Sequence, residues 1–157
     1  MPRCQDAYKY IKGCTDVDSI DDAKDFDEVQ QAFKDLDFSD EDVQGLFAVV
    51  VGIVSTGNIV FRETRPDESE CDPAAQKWVD AAAKNFGVSA ALLAEKLVTR
   101  ELRIRGAEKT VAVQDVKQAN DAASALAKFA YSRMFDWLVE QVNKSMKVGA
   151  SRGHEAS

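Results

Sequence analysis

Histidine is almost missing from this sequence: His154 is the one example in 157 residues. A lone histidine supplies neither a catalytic triad nor a multi-histidine metal site. Cysteine is sparse as well. Cys4, Cys14 and Cys71 form an odd, scattered set without a C-x-x-C pair. That pattern is neither a disulfide framework nor a zinc site, and it points to a reducing compartment. Cys71 has no histidine or basic cluster beside it in sequence, so it does not read as a catalytic thiol. Positive charge is in deficit: 20 Lys and Arg stand against 27 Asp and Glu, a net charge of −7. This argues against a nucleic-acid binder held by a broad basic field. Long apolar runs are absent too. The longest, "LFAVVVGIV", is far too short to span a bilayer as a helix, and "MPRCQDAYKYIKGC" lacks the apolar run of a signal peptide. Neither a G-x-x-x-x-G-K-[ST] phosphate loop nor a G-x-G-x-x-G fingerprint occurs. Carboxylates are plentiful, but nothing singles out an acid/base pair.

What is present is patterned for helices, in a chain the size of one domain. Residues 5–12 read as a short helix ended by Gly13. The acid-rich "TDVDSIDDAKDFDE" that follows invites comparison with a calcium loop. An EF-hand starting at Asp16 would put Asp18 at its third position, Ile20 at the fifth, Asp21 at the sixth and Asp27 at the twelfth. A ligand position is then apolar, the turn glycine is missing and the bidentate ligand is shortened, so a calcium-binding protein is disfavoured. The acids read instead as the entry to a helix, with Asp25 as N-cap and Glu28 as its capping-box partner. Phe26, Val29, Phe33 and Leu36 mark that helix's apolar face.

Ser39, with Asp42 three residues on, starts a second helix. Val43, Leu46, Phe47, Val50, Ile53 and Val54 line its stripe. Val49 and Val51 add apolar surface elsewhere, which predicts burial nearly all round, and Gly57-Asn58 is its stop. "IVFRET" has strand character, and "RPDESECDP" reads as an exposed loop. Pro73 suits the first position of a helix that Gly87 ends, and Ser89 caps a shorter one. In "TRELRIRGAEKTVAV", Leu102 and Ile104 alternate with Glu101, Arg103 and Arg105, and Val111 and Val113 alternate after a turn holding Gly106. This is a hairpin with a charged, exposed tip.

The longest element runs from about Asp115 to Met146. Ala119, Ala123, Leu126, Ala130, Met134 and Trp137 share one face, and Tyr131, Phe135, Leu138, Val142 and Met146 a neighbouring one. Two stripes imply packing against more than one neighbour. Residues 148–157 read as a loop or tail. The residues alone thus predict a mainly α fold with a small β-hairpin and a long C-terminal helix.

"SALAKFAYSRMFDWLVEQVNKS", residues 124–145, resembles the myosin motor domain, whose pattern there is D-A-L-A-K, then Y-x-R-L-F-x-W-L-V, then I-N-x-S. "YKYIKGCTDVDSIDDAKDFDE" is similar to the family's Y-x-Y-L-N-x-x-G-C segment. "FSDEDVQGLFAVVVGIVSTGNIVF" resembles the helix ending in H-L-G-N-I-x-F, and "VTRELRIRGAEKTVAV" the actin-facing hairpin often named the cardiomyopathy loop. The segments occur in family order over about residues 8–147.

The resemblance implies that residues 1–147 are a partial motor domain, much of the upper 50-kilodalton subdomain, between switch I and switch II. The phosphate loop and both switches would then lie outside the chain, which should not hydrolyse ATP alone. ATP and Mg are implied for the complete motor only. The implied partners are the actin filament and the rest of the motor head, with no nucleic acid and no membrane insertion, in a cytoplasmic, cytoskeleton-associated setting. The family carries an acidic or phosphorylatable residue sixteen positions before the D of D-A-L-A-K; that D aligns with Ser124, so the position is Glu108 here. Its neighbours Arg100, Glu101, Arg103, Arg105 and Lys109 complete an actin-facing set. Without the resemblance these charges read as a solvated edge. Ser124 replaces the usual acid, and "STGN" replaces H-L-G-N, so Thr56 for leucine is expected to loosen packing. The second apolar face of the last helix would be covered in a motor and exposed in the isolated chain, which is then expected to self-associate. The alternative reading is a free-standing helical module that binds actin or another protein without motor activity.

Overall fold

A computed structural model of the chain describes residues 7–13, 17, 19–102 and 110–154. In it the first helix starts earlier than the capping pattern predicts. Helix α1 spans Asp22–Asp35, and its N-cap is Asp21, which accepts from the Lys24 amide at 3.1 Å. Asp25, the expected cap, lies inside the first turn, donating its amide to the Asp21 carbonyl. The earlier start adds backbone hydrogen bonds and places Asp22 and Asp25 where the helix dipole favours acids. The seventh to twelfth positions of the calcium loop weighed above, Asp22 to Asp27, are therefore helix; Asp16 and Asp18 lie outside the described residues.

Residues 7–13 form turns where a helix over 5–12 was expected; residues 5 and 6 are not described. The reason is competition for backbone groups. Asn58 accepts from the Lys9 amide at 2.7 Å and donates to the Ala7 carbonyl at 2.8 Å, groups that a helix would use itself.

Helix α2, Asp40–Thr56, begins as predicted. Ser39 accepts from the Asp42 amide and donates to its carboxylate, and the helix ends at Gly57. It is not buried all round. Leu46, Gly52, Ser55 and Thr56 are buried, whereas Val50 and Val51 are exposed, because α3 and α5 cover only part of its circumference. Gly52 is where α2 meets α3 most closely: a Cβ there would come within 2.6 Å of the Phe86 ring. Thr56 does not loosen this region. It is fully buried, and its hydroxyl donates to the Gly52 carbonyl at 2.8 Å.

Two hairpins are present where one was expected. Strand β1, Phe61–Arg65, pairs antiparallel with β2, Glu68–Cys71, which the sequence reading placed in an exposed loop. Asp67, at φ 64, turns the chain, and Arg62 meets its register partner Glu70 in an ion pair. After a 3₁₀ turn over Pro73–Ala75 come α3, Gln76–Phe86, closed by Gly87 at φ 68, and α4, Ala90–Val98, capped by Ser89. Strands β3, Thr99–Leu102, and β4, Thr110–Val113, form the second hairpin.

Helix α5 runs Val116–His154, with Asp115 accepting from the Gln118 amide at its start. It passes the point near residue 148 where a loop or tail was expected. Gly149 and Gly153 each cost a helix only about 1 kcal/mol, and propagation from a long formed helix carries through them. Its two faces part as the pattern predicts. Ala119 and Ala123 are buried, joined by Ala127; Tyr131, Phe135 and Met146 are exposed.

The core collects Ile59 and Phe61 with Val79, Ala82 and Ala83 of α3, Leu93 and Leu97 of α4, and Ala119 and Ala123 of α5. Helix α1 stays outside it and has no buried residue. Phe26 and Val29 of its predicted face remain exposed; α1 is held through ring contacts, Phe26 and Phe33 on Phe47, and Phe33 on Phe38, which meets Trp137 of α5.

Candidate functional site

The β3–β4 hairpin is built on the end of a helix that has no glycine to stop it. Helix α4 passes directly into β3 at Thr99, in extended conformation. Its last four carbonyls, Glu95 to Val98, have no partner within the helix. Three of them are satisfied from the hairpin's base. The Thr99 hydroxyl donates to Glu95 O at 2.8 Å, the Gln114 side-chain amide to Leu97 O at 3.3 Å, and the Gln114 backbone amide to Val98 O at 2.8 Å. Gln114 thus extends the strand ladder one rung below the Thr99–Val113 pair and caps the helix at the same time.

Above this base the hairpin leaves the body. Strand register places Thr99 opposite Val113, Arg100 opposite Ala112, and Glu101 opposite Val111. Side chains alternate across the pleat, so Glu101, Val111 and Val113 share one face. Val111 is 57% exposed and Val113 43% exposed, so nothing among the described residues covers that face. Arg100 and Glu101 are also exposed. Arg103, Arg105, Glu108 and Lys109, the other four residues singled out from sequence, lie outside the described residues.

The buried polar base was not legible in the sequence. Gln114 and Ser69 are both buried, and the Ser69 hydroxyl of β2 donates to Gln114 O at 2.8 Å. A glutamine directly before a helix-capping aspartate gives no local sign that its amide reaches back to another helix.

Cys71 of β2 is a half-buried free cysteine. Burial pushes its thiol above the ordinary value of 9.0, with the Glu70 carboxylate adding to the shift. It is a protonated, weakly nucleophilic thiol at neutral pH. A groove of about 580 Å³ lies between α2 and α5, with Leu46, Val49, Phe86, Met134 and Trp137 among its lining residues. No described helix is long and apolar enough to cross a membrane.

The architecture is that of a helical subdomain which presents a hairpin from a polar, hydrogen-bonded base. Comparison with known proteins gives its family. The family model "Myosin head (motor domain)" matches residues 3–156, and the chain belongs to that family. It is 36% identical over 147 residues to Myosin-1 of Arabidopsis thaliana, covering 92% of this chain and 12% of that protein. It is 36% identical over 143 residues to Myosin-1 of Sclerotinia sclerotiorum, covering 91% and 12%. With unconventional myosin-Ia of Mus musculus it shares 34% identity over 148 residues, covering 90% and 14%. The chain therefore spans about an eighth of the length of these relatives. It is part of a myosin motor domain.

Proposed function

We propose that this chain contributes the β3–β4 hairpin to the actin-facing surface of an actin-based, ATP-driven motor head, within the upper 50-kilodalton region, and holds no nucleotide site of its own. The observation that carries this reading is the hairpin's build. Its base is tied by hydrogen bonds to α4 and β2, its visible face is exposed, and the sequence beyond β3 alternates charge through Arg103, Arg105, Glu108 and Lys109. Charges placed at such a rim steer encounter and set salt dependence more than they supply core affinity. Glu108 fills a position where the family resemblance implies an acid or a phosphorylated residue, so its charge is permanent.

Placing ATP and its Mg elsewhere in the motor is supported by the residues here. Phosphoryl transfer needs a phosphate cradle, a magnesium ligand and a positioned water. The sequence has no phosphate-loop motif. The starts of α1 and α2, where backbone amides could otherwise meet a phosphate, carry Asp22 and Asp25 and then Asp40, Glu41 and Asp42. Those carboxylates repel one. On this reading the chain works in the cytoplasm, on the cytoskeleton, with actin and the remainder of the head as partners.

Co-sedimentation with filamentous actin tests the proposal. The wild-type chain is expected to pellet weakly and less at higher salt; Arg105→Glu and Glu108→Lys should each shift that pelleting by roughly several-fold at low salt. Identical pelleting by wild type and both variants would remove the hairpin from the actin surface.

A further inference from the structure

Four hydrogen bonds converge on Gln114, more than its place between a strand and a helix requires. Its side-chain amide donates to Leu97 O at 3.3 Å and to Thr99 O at 3.2 Å, on either side of the joint where α4 becomes β3. Its backbone amide donates to Val98 O at 2.8 Å, and its carbonyl accepts from the Ser69 hydroxyl at 2.8 Å. The next residue, Asp115, caps α5. One buried residue therefore ties together the end of α4, the root of the β3–β4 hairpin and strand β2, and its neighbour Asp115 caps α5.

Gln114 is the buried residue at the hairpin's base. Val111 and Val113 make no buried face, so apolar packing does not fix the direction in which β3 and β4 leave the body. A two-stranded ribbon is weak by itself. The pair of bonds from the Gln114 side chain, beside the Thr99 hydroxyl's bond to Glu95 O, limits its swing by closing the angle between the axis of α4 and strand β3.

We infer that Gln114 is a positioning residue that fixes the angle of the β3–β4 hairpin on the body and so sets how strands β3 and β4 are presented to a filament. The second half of this statement rests on the actin reading above; the first half does not. Gln114→Met keeps the side chain's length while removing both donors. Gln114→Asn keeps the amide but is one methylene too short to reach.

Hydrogen exchange of the 157-residue chain separates positioning from general stability. In Gln114→Met, amides of residues 99–102 and 110–113 should exchange at least about tenfold faster, while α3 amides change less than about twofold. A residue that only stabilised the fold would move both sets together. Gln114→Asn, the milder change, must show the same local split. If hairpin and α3 amides speed up together in both variants, or the hairpin amides do not change, the inference is overturned.

Actin pelleting is then read on the same proteins. Weaker binding by Gln114→Met, with the salt slope of wild type because every charge is retained, completes the inference. Equal binding despite a loosened hairpin overturns its second half. No pelleting even by wild type, beside a loosened hairpin in the variant, removes the actin reading and leaves the positioning role standing.

Discussion

The two hairpins of this protein reverse what their sequences suggest. The β1–β2 ribbon is written in polar residues, "FRETRPDESEC", yet it sits against α4 and α5, with Phe61 and Ser69 buried. The β3–β4 ribbon alternates Leu102 and Ile104, then Val111 and Val113, with polar residues, as a half-buried strand should. Yet both valines are exposed. Alternation reports that a segment can form a strand, whereas burial depends on what the rest of the chain brings to its faces. One large anchor at the root of β1 and one small hydroxyl at the middle of β2 embed the first ribbon. The second has two exposed valines and is held at its base by hydrogen bonds around Gln114. A fixed ribbon and a presented ribbon thus differ in a few long-range contacts rather than in local pattern.

Substitutions can break that contrast or sharpen it. The largest effect belongs to the anchor. Phe61→Ala removes a ring from the core cluster that also holds Val79 and Leu97 and should cost about 3–5 kcal/mol, read as a fall in the denaturant midpoint. An effect under about 1 kcal/mol would mean that the first ribbon is no more embedded than the second. Ser69→Ala removes the donor to the buried Gln114 carbonyl and should cost about 1–2 kcal/mol. Its signature is faster exchange in both ribbons, since this bond links them.

Next comes Arg62→Ala. The guanidinium meets Glu70 directly across the ribbon, but both side chains are about half exposed. Screening holds the expected loss to about 0.5 kcal/mol, shrinking further in salt. Smallest is Val111→Ser on the presented ribbon, expected within about 0.5 kcal/mol of wild type in stability. A large loss there would show that the exposed face is covered in solution, by a second copy or by another part of the same chain, and a concentration series would separate the two.

The thiol of Cys71 adds a pH test of the embedded ribbon. Its folded value is raised above 9.0 by burial and by Glu70. The protonated form is favoured by folding, so this contribution is fully present below the ordinary thiol value and is lost as pH rises through the higher folded value. Cys71→Ser should flatten the alkaline fall in thermal midpoint, measured from neutral pH upward.

Much of the helical scaffold was readable because its signals are local. Ser39 and Ser89 announce helix starts, Gly87 a stop, and the spacing of Ala119, Ala123, Leu126 and Ala130 marks the inner face of α5. These follow from which side chain can reach a backbone amide three residues away and from 3.6 residues per turn. The failures share a cause. Asp21 displaced Asp25 as a cap because two equivalent acids compete and the longer helix wins. Residues 68–71 became a strand because β1 supplied hydrogen-bond partners, with no apolar alternation to announce it. Asn58 drew residues 7–13 into turns from about fifty positions away.

The sequence by itself determined that this chain is helical, acidic, poor in histidine and cysteine and similar to a myosin motor domain, because composition, periodicity and motif order are properties of neighbours along the chain. Only the tertiary structure decided which ribbon is embedded, which face of α5 is covered, and that Gln114 joins α4, β3 and β2 at the root of the hairpin. Such contacts depend on geometry between distant segments, where an amide donor and an orphaned carbonyl find each other only after the helices have packed.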